Sequence, residues 1–194
     1  VGEKVSARQK LLQAAGELFY RNGLAATGID AITARAGVAK MSLYNNFDSK
    51  ADLASAYIDD RCMRWRANLD RRIANASTHK ERVLAVFDSY LDQVDADGAE
   101  FRGCGLLNAA AELGVAEPAR TSVVAQKNEV EKLFRDYLNK SGADAAAVAV
   151  AAEHLSLILE GGIARAGLEG NGARLLSARK IAATIVDQLA GSSR

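Results

Sequence analysis

The chain has 194 residues, 49% of them hydrophobic and 25% charged, with a formal net charge of +1. That balance excludes a disordered polyelectrolyte, and two widely separated cysteines with no CxxC pair argue against a disulfide scaffold or a zinc site. A single Pro, abundant Ala and no alternating β-branched run predict an all-α fold. Residues 1–50 hold seven Lys or Arg against four Asp or Glu, and the remainder 18 against 20, so a mildly basic end precedes a mildly acidic one. This suits a protein that touches phosphates with its N-terminal part and uses the rest for other work. The polar start VGEKVSARQK has no apolar signal core, and no apolar run of membrane-spanning length is expected, so a reducing cytoplasm is the predicted location.

Taken in order, Lys4, Arg8 and Lys10 stand where they can reach a DNA backbone. A helix is predicted from Ser6 to about Asn22, with Leu11, Ala14, Ala15, Leu18 and Phe19 on its apolar stripe and Gly23 ending it. In Thr27–Lys50 (TGIDAITARAGVAKMSLYNNFDSK), Ile32, Ala36, Val38, Leu43 and Phe47 flank Gly37 at helical spacing. Two short helices across one tight turn fit this pattern, with Thr27 capping the first and Ser49 capping the helix that starts at Lys50. The second, about Ala39 to Asn46, turns Leu43 and Phe47 inward and leaves Lys40, Met41, Ser42, Tyr44 and Asn45 outward or sideways. A cation, a hydroxyl, a phenol and an amide suit base edges and phosphates.

A long helix follows from Lys50 to about Asn75, its stripe including Leu53, Ile58, Cys62, Trp65, Leu69 and Ile73; shared between two parts of the chain, it would act as a mechanical link. The next is expected over about His79 to Ala96, with Val83, Val86, Phe87, Tyr90, Leu91 and Val94 inward. The acidic DADGAE, Asp95 to Glu100, lacks EF-hand spacing. In FRGCGLLNAAAELG, Phe101 to Gly114, Gly103 and Gly105 let the backbone approach other elements closely, and a helix dipole at Cys104 favours its thiolate. Pro118 opens a helix to about Asn139, with Val123, Val124, Val130, Leu133, Phe134, Tyr137 and Leu138 inward. Two further helices, from Asp144 and over about Ala173 to Ala190, carry apolar stripes that can serve a monomer core or a dimer. No nucleophile elbow, HExxH or P-loop is present, so no catalytic residue, metal or cofactor is expected. His154 is read as a pocket or core histidine.

The run ARQKLLQAAGELFYRNG, then Thr27, ITARAGVAKMSLYNNF and DSKADL, resembles the TetR family of transcriptional repressors over about the first 55 residues. The resemblance implies a helix-turn-helix head over 1–50 and a helical ligand-binding and dimerisation domain over 51–194. It also implies phosphate contacts from Thr27, Tyr44 and Lys50, and a homodimer formed by the last two helices. The chain makes three departures from the family's usual pattern: Thr33 for Ala, Ala39 for Ser, and Met41–Ser42 for Gly-Thr. The expected DNA-contacting set is Thr27, Lys40, Met41, Ser42, Tyr44, Asn45 and Lys50. Residues expected to face a small-molecule effector are Trp65, Phe87, Tyr90, Cys104, Asn108, Phe134 and His154. The predicted function is a non-enzymatic, ligand-responsive repressor that binds a near-palindromic double-stranded operator as a homodimer. The alternatives are a repressor that senses electrophiles or oxidants through Cys104, and a helical interaction module that no longer reads DNA.

Overall fold

The computed structural model describes residues 5–191, which leaves Lys4 outside the described residues. Among them no strand occurs; nine α-helices carry the fold, joined by two short 3-10 turns. They are α1 Ala7–Asn22, α2 Ile29–Ala36, α3 Lys40–Tyr44, α4 Lys50–Ile73, α5 His79–Asp97, α6 Gly105–Ala111, α7 Pro118–Leu138, α8 Ala145–Glu169 and α9 Ala173–Gly191. The all-α expectation therefore holds, with boundaries mostly within two residues of those read from the sequence.

The chain divides into two compact units. The head unit contains residues up to Met63 together with Gly105–Val123; the body unit contains Arg64–Cys104 and the chain from Val124 onward. The strand of sequence passes between units within α4, at Cys104–Gly105 and within α7.

In the head, α1 starts at a capping box: Ser6 Oγ accepts from Gln9 N–H while Gln9 reaches back to the Ser6 N–H. Leu11, Ala15, Ile32, Leu43, Leu53 and Ile58 are fully buried, so the apolar positions of four helices close one small core. Phe19 meets Tyr57 edge-on at 5.6 Å within it. Gly37 ends α2 in the left-handed conformation, φ 64°, which a side chain would strain. Ser49 caps α4 as expected, accepting from Asp52 N–H at 3.0 Å. Thr27 does not cap α2. Its side chain is buried and its hydroxyl points back to donate to Gly23 O at 2.7 Å, leaving Gly28 at the cap position without a side-chain bond. Thr33, buried on α2, donates to its own helix at Ile29 O and Asp30 O, so its hydroxyl needs no space of its own between the helices.

In the body, α8 and α9 lie side by side. Gly162 permits the contact, since a Cβ there would stand 2.7 Å from the Ala178 Cβ. Asp144 caps α8 by accepting from Ala146 and Ala147 N–H. The glycine segment ahead of α6 makes the close approach expected of it: Gly103, φ 83°, lies on Gly167 of α8, where a Cβ would meet the Gly103 nitrogen at 2.4 Å. The core holds Phe87, Phe134, Leu138, Leu155 and Leu159, each fully buried. Val124, expected inside, is 51% exposed because the inward stripe of α7 runs through Val123, Gln126, Val130 and Phe134 instead.

By length and composition α8 is apolar enough to cross a membrane, its best 18-residue window having a mean hydropathy of 1.4. Glu153, His154 and Glu160 stand near its middle, where a bilayer tolerates charge least.

Candidate functional sites

The outward side of the helix-turn-helix carries the groups expected of it. Met41 is 68% exposed and Tyr44 49%, Lys40 and Asn45 are exposed, and Ser42 is half-buried. Leu43 beneath them is fully buried and anchors α3. Lys40 Nζ lies 2.7 Å from Asp30, which raises its pKa by a hydrogen bond and by charge; both side chains are solvated, so a phosphate or a base edge competes readily for the ammonium. Arg8 stacks over Phe47 at 4.9 Å, and Lys10 is exposed on the same helix.

Two of the expected phosphate contacts are differently occupied. Thr27 has one hydroxyl proton, shared between Gly23 O and Leu18 O, and none to give a phosphate in this conformation. Lys50 Nζ donates to Ala25 O at 3.3 Å, which uses one of its three protons.

That contact is half of a grip on the α1–α2 loop. Glu112, just past α6, accepts from Leu24 N–H at 3.0 Å and from Ala25 N–H at 2.7 Å. Gly23 makes the approach possible, because a Cβ there would stand 2.5 Å from Glu112 Oε1. Nearby, the Arg61 guanidinium stacks on Tyr20 at 4.8 Å, and the absence of a Cβ at Gly105 leaves it room. Sequence reasoning missed Glu112, since its partners lie 88 and 87 residues earlier and no local pattern marks it.

The expected effector residues fall into three groups. Trp65, Phe87, Tyr90, Cys104 and Phe134 are all buried; Trp65 Nε1 donates to Ser89 Oγ, and its ring meets that of Tyr90 at 5.9 Å. Phe87 and Phe134 pair at 5.7 Å. Asn108, on α6, belongs to the head unit and is exposed. His154 is also exposed, correcting its reading as a pocket or core residue: it stands on α8 away from the stripe Val148, Ala152, Leu155, Leu159 that faces inward.

Around Tyr90 and Cys104 lies a buried polar cluster that the sequence reading did not assemble. Lys127 Nζ is 2.9 Å from Glu160 Oε1, donates to Cys104 Sγ at 3.4 Å and stands 5.6 Å from the centre of the Tyr90 ring. Gln126 Nε2 donates to the Tyr90 hydroxyl at 3.4 Å. Burial pushes the Tyr90 phenol up to about 12. Burial lowers the Lys127 pKa, but the negative forms of Tyr90, Cys104 and Glu160 outweigh it and the net movement is upward. The hydrogen bond from the Lys127 ammonium to Glu160 is part of that upward movement. A signal was present: Gln126 and Lys127 sit three and four positions after Val123 and just before Val130, on the inward stripe of α7, where two polar residues have no place in an ordinary apolar core.

The open groove lined by Arg71, Arg72, Asp88, Asp92 and Arg179, about 630 Å³, has less to offer a ligand. Arg72 is hydrogen-bonded to Asp92, and Arg179 holds Asp88 with two bonds, so its opposite charges already satisfy each other.

A small helical head with a solvated polar α3, carried on a chain whose other unit buries a polar cluster, defines a helix-turn-helix regulator. Residues 11–57 match the family described as bacterial regulatory proteins, tetR family. A TetR-type transcriptional regulator from Streptomyces avermitilis is 31% identical, with 95% of this chain and 98% of that one covered at a TM-score of 0.79. A TetR-family transcriptional regulator from Streptomyces coelicolor is 29% identical, with 97% and 96% covered at a TM-score of 0.82. The HTH-type transcriptional activator FasR of Mycolicibacterium smegmatis is 30% identical over 95 residues, 49% of this chain, and the match spans only 43% of that protein's length. The chain belongs to the TetR family of DNA-binding transcriptional regulators, and it is not an enzyme.

Proposed function

We propose that the protein is an effector-responsive transcriptional repressor that binds a near-palindromic operator as a homodimer in the cytoplasm. The division of labour follows the sequence, residues 1–50 meeting DNA and 51–194 serving effector and partner. The observation that carries DNA reading is the polar face of α3: Lys40, Met41, Tyr44 and Asn45 all stand in solvent above a fully buried Leu43. Lys40 and Asn45 reach base edges, Ser42, Tyr44 and Lys50 hold phosphates, and Met41 offers a thymine methyl its apolar partner. Thr27 contributes through the loop it fastens.

Support for dimerisation comes from α8 and α9. Val150, Leu157 and Leu168 are 51%, 64% and 81% exposed and recur, with Gly161 and Ala164 between them, on one side of α8; Ile181 of α9 is 50% exposed. Large apolar side chains at helical spacing in solvent are the mark of a covered face. Two such helices from each subunit form a four-helix contact with small residues at its centre. His154 belongs to this face.

The effector site lies in the body, at Trp65, Tyr90 and Cys104. The last of these directly precedes Gly105, the first residue of α6, and α6 leads to the Glu112 grip on the α1–α2 loop. A displacement at Cys104 thus has a short covalent route to the head, and about 1–3 kcal/mol of differential binding suffices for such coupling.

The test is selection of duplexes from random DNA, followed by affinity for the winning site across a salt series. We expect a two-fold symmetric site. Lys40→Ala weakens it about tenfold, in line with about 1–3 kcal/mol for a base contact, and Tyr44→Phe weakens it several-fold with its base preference unchanged. No enriched duplex, with residual binding indifferent to both changes, would instead point to an interaction module.

A further inference from the structure

Two buried acceptor atoms in the body unit, Gln126 Oε1 and Glu160 Oε2, receive no hydrogen bond from the protein. Gln126 is only 4% exposed. A buried acceptor left without a donor costs about 1–3 kcal/mol, which a bound donor recovers. Whichever way the Gln126 amide is turned, Glu160 Oε2 still calls for a donor.

The charges around these atoms restrict what can meet them. Lys127 and Glu160 neutralise each other at 2.9 Å. A cation meeting Glu160 would stand against the Lys127 ammonium, and an anion meeting Lys127 would stand against the Glu160 carboxylate. Either would carry an uncompensated charge into a buried site, which is costly. A neutral group escapes both. The tilted Trp65–Tyr90 pair supplies aromatic surface beside the cluster, and the Tyr90 hydroxyl, accepting from Gln126, keeps its own proton to offer.

We propose that this cluster binds the hydroxyl end of a neutral hydroxyaromatic effector, whose O–H donates to Glu160 or Gln126 while its oxygen accepts from Tyr90. The proposal rests on the effector-responsive reading above and specifies the chemistry of that site. Polar recognition of this kind discriminates strongly, because an analogue without the donor leaves the acceptors unpaired.

The experiment uses four probes with one aromatic body, measured by calorimetry on the whole chain at neutral pH: 2-naphthol, 2-methoxynaphthalene, 2-naphthoate and 2-naphthylmethylammonium. 2-Naphthol binds at least tenfold more tightly than each of the others, and Gln126→Met and Tyr90→Phe each reduce that preference to about threefold or less. Equal binding of naphthol and its ether, or a preference for either ion, overturns the proposal. So does a Gln126→Met or Tyr90→Phe protein that melts at a different temperature yet keeps the wild-type preference, since the side chain would then be structural only. Operator binding is assayed in the same preparation. If no probe binds while the operator is held, the hydroxyaromatic assignment falls and the regulator reading stands; if the operator is not bound either, both fall.

Discussion

The head and the body place their polar chemistry in opposite directions. On α3 the polar side chains stand in water above one buried Leu, so their solvation costs are small and they are available to a partner. In the body, Tyr90, Gln126 and Cys104 are buried and Lys127 and Glu160 mostly so, and their ionic and hydrogen-bonding needs are met by each other or left unmet. The contrast separates polar chemistry that is added to a finished core from polar chemistry that is part of the core. Changes on α3 therefore alter binding with little effect on stability, whereas changes in the cluster alter both.

The largest test of that contrast is Lys127→Met. It removes the donor to Glu160 Oε1 and leaves a carboxylate whose other oxygen already lacks a protein donor. Breaking one side of a mostly buried pair costs about 3 kcal/mol, and Lys127→Met with Glu160→Leu should recover most of it, because no buried charge is then left alone. Denaturant unfolding of the three proteins measures this. A loss below about 1 kcal/mol would show the cluster to be solvated like the head, and the contrast would disappear.

Alkaline pH gives a second, smaller effect with a definite sign. Tyr90 holds its proton in the folded protein up to about 12, whereas an unfolded tyrosine releases it near 10. Between those values the unfolded chain binds fewer protons, so its stability relative to the native state rises and folding stability falls as pH rises. Below about pH 10 this group leaves stability unchanged, and the loss reaches roughly 2 kcal/mol by about pH 12. The folded pKa of Lys127 is also raised, which gives a loss of the same sign, and because part of that rise comes from the charge on Tyr90 the two groups titrate together. Unfolding curves at pH 9, 10, 11 and 12 should show the fall, and Tyr90→Phe should make it shallower; an unchanged slope would remove Tyr90 from the account.

The two regions also differ in how far they could be read from the chain. Gly37, Leu43, Phe47 and Ser49 act within a few residues of themselves, so spacing alone located α2, α3 and the start of α4. The same short-range periodicity assigns Met41 and Tyr44 to the surface. Thr27 broke the pattern because its hydroxyl found carbonyls at Leu18 and Gly23 rather than the amides of the helix after it. In the body, Tyr90, Cys104, Lys127 and Glu160 come from separate elements, and helical period says which side of a helix faces inward, not what it meets there. His154 shows the limit: its helix was located correctly, but an apolar stripe that suits a partner subunit as well as a core does not reveal which side is which.

Glu112 joins a local site to a distant residue, and it supplies the smallest and most specific prediction. Glu112→Gln keeps the shape but exchanges one acceptor for an NH₂ group, which turns a donor toward Leu24 N–H or Ala25 N–H and leaves that amide unpaired. The cost is about 1 kcal/mol, since the Ala25 side of the contact is exposed and water can replace the lost partner. If the loop positions the head for DNA, operator affinity falls by roughly fivefold, the same energy expressed as binding. Its salt dependence should match the wild type, because no phosphate contact is lost. Lys50→Ala, by contrast, removes a cation assigned to a phosphate and should flatten the salt slope. Equal slopes for wild type and Glu112→Gln with reduced affinity would assign Glu112 to positioning. Unchanged affinity with only a lowered melting temperature would confine the grip to holding the head together, and coupling from Cys104 would then need another route.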